Sequence, residues 1–267
     1  MTAQDRRFGE EGALLSYGSY LRVPELLDQQ RPQSGLEGRP AAHDELLFIT
    51  IHQVYELWFK LLLHELGDAR DGMLAGDDHL PRLRLQRAHV VERVLLEQVD
   101  VLETMTPQDF LAFRELLAPA SGFQSVQFRE IEFLSGAKEP AYLNRLSHAS
   151  EAERDRLRAR LAEPTLWDGY LALLAAVGFD TGTVETRRAA LLEISRQSQR
   201  YGSLWDLSEA LIEHDAIWAR WRSRHVLMVE RQIGTKSGTG GSSGGPYLRQ
   251  RIGLRFYPEL WELRSYL

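Results

Sequence analysis

Apolar residues crowd the stretch HDELLFITIHQVYELWFKLLLHEL, His43 to Leu66, so densely that a helix here is apolar almost all the way round. Such a helix belongs in the middle of a fold rather than on its rim. The pattern predicts it from 44 to about 74. His52, Gln53, Glu56 and Lys60 interrupt it, so no run reaches the ~18 apolar residues that a membrane span needs.

Helical signals continue along the chain. A short first helix is expected over 17–30, and the Gly- and Pro-rich RPQSGLEGRPAA (31–42) is a loop. A Pro81-led pattern follows as PRLRLQRAHVVERVLLEQVDVLETM. In TPQDFLAFRELL, Thr106 can cap, Pro107 suits the first helical turn and Asp109 favours the positive end of the dipole. Ser150 with Glu153, and Thr165 with Asp168, read as capping boxes, and Gly178 reads as a stop. The last long pattern spans roughly 204–233 and stops at Gly234. No strand alternation of useful length and no repeat of fixed period is present. The expectation is all-α: one helical-bundle domain over 17–267, preceded by a flexible tail, 1–16.

Composition narrows the chemistry. The chain has 267 residues, 43% hydrophobic and 26% charged, with 32 Lys and Arg against 38 Asp and Glu, a net charge of −6. That is a soluble globular profile, long enough for one large core or two small ones. A basic nucleic-acid footprint is not expected. Cysteine is absent, which excludes disulfides, thiolate metal sites and cysteine nucleophiles. The polar start MTAQDRRFGEEG has no secretory signal pattern. A cytoplasmic protein is the expectation.

Two imidazoles sit oddly. At ~100° per residue, Phe48, His52, Tyr55, Phe59 and Leu63 share one helix face. His52 is then either a core histidine with both nitrogens satisfied, or an imidazole facing a ligand in an apolar pocket. In DAIWARWRSRHVLMVERQIG, His225 lies on a stripe with Trp218, Trp221, Met228 and Val229, while Arg220, Arg222, Arg224 and Arg231 fall on other faces. One buried His among flat apolar walls suits the proximal side of a haem, with arginines nearby for the propionates. Ordinary core packing gives the same stripe.

The run GTKSGTGGSSGGPYLR fails both nucleotide readings. Thr235 stands where a P-loop needs Gly before Lys236, and Ser243 stands where a G-x-G-x-x-G from Gly238 needs its last glycine. A glycine loop that wraps an anion or closes as a lid remains, beside a plain linker. Phe110 and Arg114, four apart, are expected on one helix face. There Arg114 either snorkels to solvent or grips a carboxylate with two prongs. His64-Glu65 lacks the second His of H-E-x-x-H, since position 68 is Asp68. His52 and Glu56 have metal spacing but no matching pair, no G-x-S-x-G elbow is present, and a di-metal carboxylate site lacks its Glu-x-x-His pairs.

Five blocks, in order, resemble the tryptophan 2,3-dioxygenase family: YGSYLRVPELLDQQ, HDELLFITIHQVYELWFKLLLHEL, SGFQSVQFREIEFLSG, RHVLMVERQIGTKSGTGGSSGGPYLR and FYPELW. The resemblance covers most of the chain. It implies an all-helical homotetramer that uses haem b, with ferrous iron, to open the indole ring of L-tryptophan with O2. The product would be N-formyl-L-kynurenine, the first step of the kynurenine route. By the same resemblance, His225 is the proximal iron ligand and His52 the distal, catalytic histidine that hydrogen-bonds the indole N–H. Phe48 and Phe110 wall the substrate, Arg114 grips its carboxylate, and Thr239 contacts its amino-acid end. Tyr17 and Tyr20 reach a neighbouring subunit's pocket. Two other readings stay open: a mono-oxygenase acting on tryptophan or a modified tryptophan, and a haem-binding sensor without turnover.

Overall fold

The computed structural model describes residues 15–38, 40–146, 149–240 and 244–267, apart from the side chain of Glu37. Residues 1–14 of the expected tail lie outside them, as do Gly241, Ser242 and Ser243 of the glycine loop. Among the described residues there is no strand.

Two short helices, α1 (Tyr17–Leu21) and α2 (Val23–Leu27), replace the single helix expected at 17–30. Ser16 caps α1 through a capping box. The break falls at Arg22, at φ 53°, because Pro24 has no N–H to donate back to the preceding turn. Gln53 and Glu45 tie down the chain that follows. Gln53 donates to the Gln29 carbonyl at 3.0 Å, and buried Glu45 accepts the Gln33 and Ser34 amides at 2.7 and 2.9 Å.

The centre is built by α3 (Glu45–Leu74), α4 (Leu80–Leu102), α6 (Val126–Ser135), α9 (Leu166–Ala176) and α11 (Gly202–Ile233), with the short α5 (Pro107–Leu111) before α6. α3 packs against α4, α6 and α9, and α4 also lies along α11. α3 is long and apolar enough to cross a membrane. One face of it packs in the core: Leu62, Leu66, Ala69 and Met73 are fully buried, at the i, i+4, i+7, i+11 spacing of one face. Each such leucine contributes about 2 kcal/mol by burial.

Both expected capping boxes form, starting α8 (Glu151–Ala162) and α9. α7 (Tyr142–Arg145) and α10 (Val184–Arg196) flank them, and α12 (Gly245–Ile252) and α13 (Pro258–Leu263) close the chain against α11. Two core stripes contain polar residues. That of α4 reads Leu85, Ala88, Glu92, Leu95, Val99, Leu102, and that of α11 reads Leu204, Leu207, Leu211, His214, Trp218. Glu92 and His214 are as buried as the leucines around them.

Candidate functional site

A cavity of about 530 Å³ opens between α3, α6, α11, α12 and the segment 110–125. α3 supplies Phe48, His52, Tyr55, Glu56 and Phe59 to its wall. α11 supplies Trp221, Arg222, His225, Met228 and Val229. The two histidines therefore stand on different helices around one space.

His52 has its tautomer set by its own helix. Nδ1 lies 2.7 Å from the Phe48 carbonyl oxygen, which can only accept, so Nδ1 carries the proton and Nε2 keeps its lone pair. Burial pushes the His52 pKa down, against the opposing pull of the Phe48 carbonyl and Glu56. The Phe48 ring lies 4.1 Å from the imidazole and stacks on Phe110 at 5.7 Å. Glu56 is held by Gln127, whose Nε2 donates to its carbonyl and to its carboxylate at 2.9 and 2.8 Å.

His225 is held by stacking. Its ring lies 5.0 Å from that of Trp221, one turn earlier, at an interplanar angle of 14°. Burial, reinforced by His52, pushes its pKa down to about 4. It is neutral at physiological pH, as a metal-binding imidazole must be. Trp221 in turn meets Trp218, which lies behind the cavity wall, at 5.7 Å.

One end of the cavity is strongly polar. Fully buried Glu132 sits among three guanidinium groups: Arg129 at 2.5 Å, Arg251 at 3.5 Å and Arg222 at 3.8 Å. All four line the cavity. Arg222 Nε and Nη2, Arg129 Nε and Arg251 Nε have no hydrogen-bond partner among the described residues. Buried guanidinium N–H groups rarely go unpaired, so this end has donors and positive charge to offer an anion. The sequence reading spread four α11 arginines over other faces. The structure corrects this for Arg222, which is buried at the cavity, whereas Arg220, Arg224 and Arg231 pair with Glu213, Asp100 and Glu103 outside it. Arg222 sits three residues before His225, about one helical turn, and that spacing was the signal available in the sequence.

The mouth is built by the segment after α5. Phe110 and Arg114 both line the cavity, but not on one helix as expected. α5 ends at Leu111, Phe113 turns into the core with no exposure, and Arg114 begins a separate 3-10 turn, Arg114–Leu117. Arg114 Nη2 donates to the Ser237 carbonyl of the glycine loop, and the Thr239 hydroxyl donates to the Ala120 carbonyl at 2.6 Å. Gly240 allows this approach, because a Cβ there would come within 2.6 Å of the Ser121 Cβ. Gly244, at φ +65, returns the chain beside the Lys236 carbonyl, where a Cβ would come within 2.7 Å.

Phe48, His52, Phe110, Arg114, Thr239 and His225 are thus gathered on one cavity. Tyr17 and Tyr20 are not. They stand on α1, 79% and 71% exposed, and do not line it. Glu56, weighed in the sequence only as a metal ligand beside His52, lines the cavity, and sequence reasoning missed Arg129, Glu132 and Arg251, which carry no spacing that signals a common site.

A flat macrocycle with one axial imidazole and two carboxylates fits these residues. His225 is neutral and half-buried on the cavity wall, Phe128, Met228 and Val229 are apolar walls, and the unpaired guanidinium atoms lie at one end.

Comparison with known proteins gives the same family from nearly the whole chain. A family model described as tryptophan 2,3-dioxygenase matches residues 1–174 and 180–267. The chain is 60% identical over 268 residues to a tryptophan 2,3-dioxygenase of Nocardioides sp., covering 97% of each. It is 44% identical over 264 residues to one of Herpetosiphon aurantiacus, covering 94% of this chain and 98% of the relative. A Bradyrhizobium relative of the same name is 42% identical over 265 residues, covering 94% and 92%.

Proposed function

The chain belongs to the tryptophan 2,3-dioxygenase family, and from that premise we propose how its own residues carry out the oxidation of L-tryptophan by O2. It is an oxidoreductase that opens the indole C2=C3 bond to give N-formyl-L-kynurenine. The observation that carries the assignment of roles is the pair of half-buried imidazoles on α3 and α11, each with its pKa pushed down, around one cavity with a guanidinium-rich end.

His225 would hold the iron of haem b, and Arg222, with Arg129 and Arg251, would pair with its propionates. Ferrous haem, when bound, supplies the activation of dioxygen.

The chain's residues then bind and aim the substrate. Nε2 of His52 accepts the indole N–H, because Nδ1 already serves the Phe48 carbonyl. An indole N–H is a very weak acid, so His52 positions the ring more than it removes the proton. Phe48 and Phe110 press the indole face into line with the reacting centre, and exact placement supplies much of the acceleration. Arg114 takes the carboxylate, and Thr239 the amino-acid end, once both exchange their present partners Ser237 and Ala120 for substrate. The apolar walls keep water out.

The homotetramer completes the site in this reading. α1 and α2 bury none of their residues within the chain, and exposed Tyr17 and Tyr20 are free to cover a neighbouring subunit's mouth. Chemical crosslinking and sedimentation of the haem-loaded protein test the assembly.

The test of the reaction uses reduced, haem-loaded protein, L-tryptophan and 18O2, read by mass spectrometry. The expected product is N-formylkynurenine with both oxygen atoms labelled. A dominant product with one label and an intact indole-derived ring would mean mono-oxygenation instead.

A further inference from the structure

The stripe of α4 puts a carboxylate where a core leucine is expected, and nothing in the mechanism above uses it. Glu92 is 1% exposed. Its Oε1 accepts from two groups of α11: the Trp218 Nε1–H at 3.1 Å and His214 Nδ1 at 2.5 Å. His214, fully buried, places its other nitrogen 2.9 Å from the Ser135 hydroxyl of α6. A buried carboxylate is costly, and these pairings satisfy Oε1 alone, since Oε2 has no hydrogen-bond partner among the described residues.

Both branches lead to the cofactor end of the cavity. The Trp218 ring meets Trp221 edge-on at 5.7 Å, and Trp221 stacks on His225 at 5.0 Å. The His214 ring stacks on Phe256 at 5.5 Å, and the Arg222 guanidinium lies over the same Phe256 ring at 4.8 Å. The Phe256 amide is itself fixed by the Asp215 carboxylate at 2.8 Å. One oxygen atom of Glu92 therefore fixes Trp218, which backs the Trp221 ring against His225, and His214, which backs the Phe256 ring under Arg222.

We propose that Glu92 is a positioning residue for the cofactor site: it locks Trp218 and His214 in place, and through them the ring plane of His225 and the reach of Arg222. The proposal rests on the reading of His225 as the iron ligand. Trp218 has no other hydrogen-bond partner for its N–H among the described residues. Without the Glu92 oxygen it gains freedom to turn about its side-chain bonds, and the stack on His225 loses its backing. The role needs an acceptor at this point rather than a charge, so glutamine in place of Glu92 should keep it.

The test compares Glu92→Leu with Glu92→Gln in haem-loaded protein, by resonance Raman spectroscopy of the ferrous iron–imidazole stretch and by the rate of haem transfer to a competing apoprotein. In Glu92→Leu the band should shift or broaden. Haem should leave roughly 10-fold faster, and kcat should fall while KM for L-tryptophan changes little, the size of effect known for groups behind a metal ligand. Glu92→Gln should restore all three. A Leu variant that only melts earlier, with a wild-type band and haem off-rate, overturns the proposal, as does a Gln variant no better than Leu. Should Glu92→Leu fail to fold, Trp218→Phe removes the same N–H and should move the band the same way; an unchanged band there also overturns it. A wild-type band that survives His225→Ala would overturn the ligand reading and this proposal together, whereas a band lost in His225→Ala but untouched by Glu92→Leu overturns the proposal alone.

Discussion

The Thr239 hydroxyl is bound to the Ala120 carbonyl at 2.6 Å, which ties the glycine loop to the segment that carries Arg114. Arg114 returns the tie through the Ser237 carbonyl. The side chains assigned to the substrate's amino-acid end thus hold the loop across the mouth. Binding of L-tryptophan should replace these ties with charge-assisted ones and tighten the loop. Hydrogen exchange over 234–245 should slow on adding L-tryptophan to the reduced, haem-loaded protein. Equal exchange with and without substrate would rule out a closing lid. Thr239→Val should raise KM by about fivefold, the value of one neutral hydrogen bond of about 1 kcal/mol.

Arg114→Ala should weaken L-tryptophan by roughly 2–5 kcal/mol, the cost of leaving one member of a desolvated charge pair alone. Tryptamine, which lacks the carboxylate, should lose far less. Binding titrations of the two ligands against the variant decide it: parallel losses would place Arg114 away from the carboxylate.

His225→Ala should lose most of its haem while its far-ultraviolet circular dichroism stays helical. His52→Ala should keep haem and lose on the order of 1 kcal/mol of substrate positioning, one hydrogen bond to the indole N–H. An absorption spectrum of each purified variant checks both. A full haem complement in His225→Ala, or none in His52→Ala, would mean that the proximal and distal assignments are reversed.

Arg222→Leu should weaken haem binding, by roughly 1.5–3 kcal/mol per charge-assisted hydrogen bond lost. Arg224→Leu, two residues on, should leave it unchanged, because that guanidinium is already paired with Asp100 and Glu103. Haem titration of the two apoproteins compares them directly. Equal affinities would remove Arg222 from the cofactor site.

The apoprotein should lose stability between about pH 6.5 and 4. His225 takes up a proton near pH 6.5 when unfolded but only near pH 4 when folded. In that window the unfolded chain binds more protons, so unfolding becomes easier as pH falls, and the loss levels off below the folded value. The contribution is up to about 3 kcal/mol, at about 1.4 kcal/mol per pH unit. Urea titrations at pH 7 and pH 4 should show this loss in the wild type and a loss smaller by that amount in His225→Phe. Identical pH dependence in both would mean that the imidazole is not held neutral.

Local chemistry was legible in the linear order of residues. The capping boxes at Ser150 and Thr165, the stop at Gly234 and the near-complete apolar girdle of α3 all follow from contacts within a few residues of each other. So does the placing of His52 and His225 on aromatic stripes, since side chains one turn apart must share a face. The break at Arg22 was open to the same reasoning through Pro24, and so was the one-turn spacing between Arg222 and His225. Other features depend on partners far away in the chain. Phe110 and Arg114 meet the same cavity from two elements rather than one, with Phe113 between them buried against Phe48 from far along the chain. Glu132 is ringed by arginines from three helices, and Glu92 finds its partners more than a hundred residues away in α11. No periodicity encodes such meetings. They arise only when helices pack, because desolvation then makes a wholly unpaired charge too costly to leave and favours arrangements in which a buried carboxylate meets at least one donor.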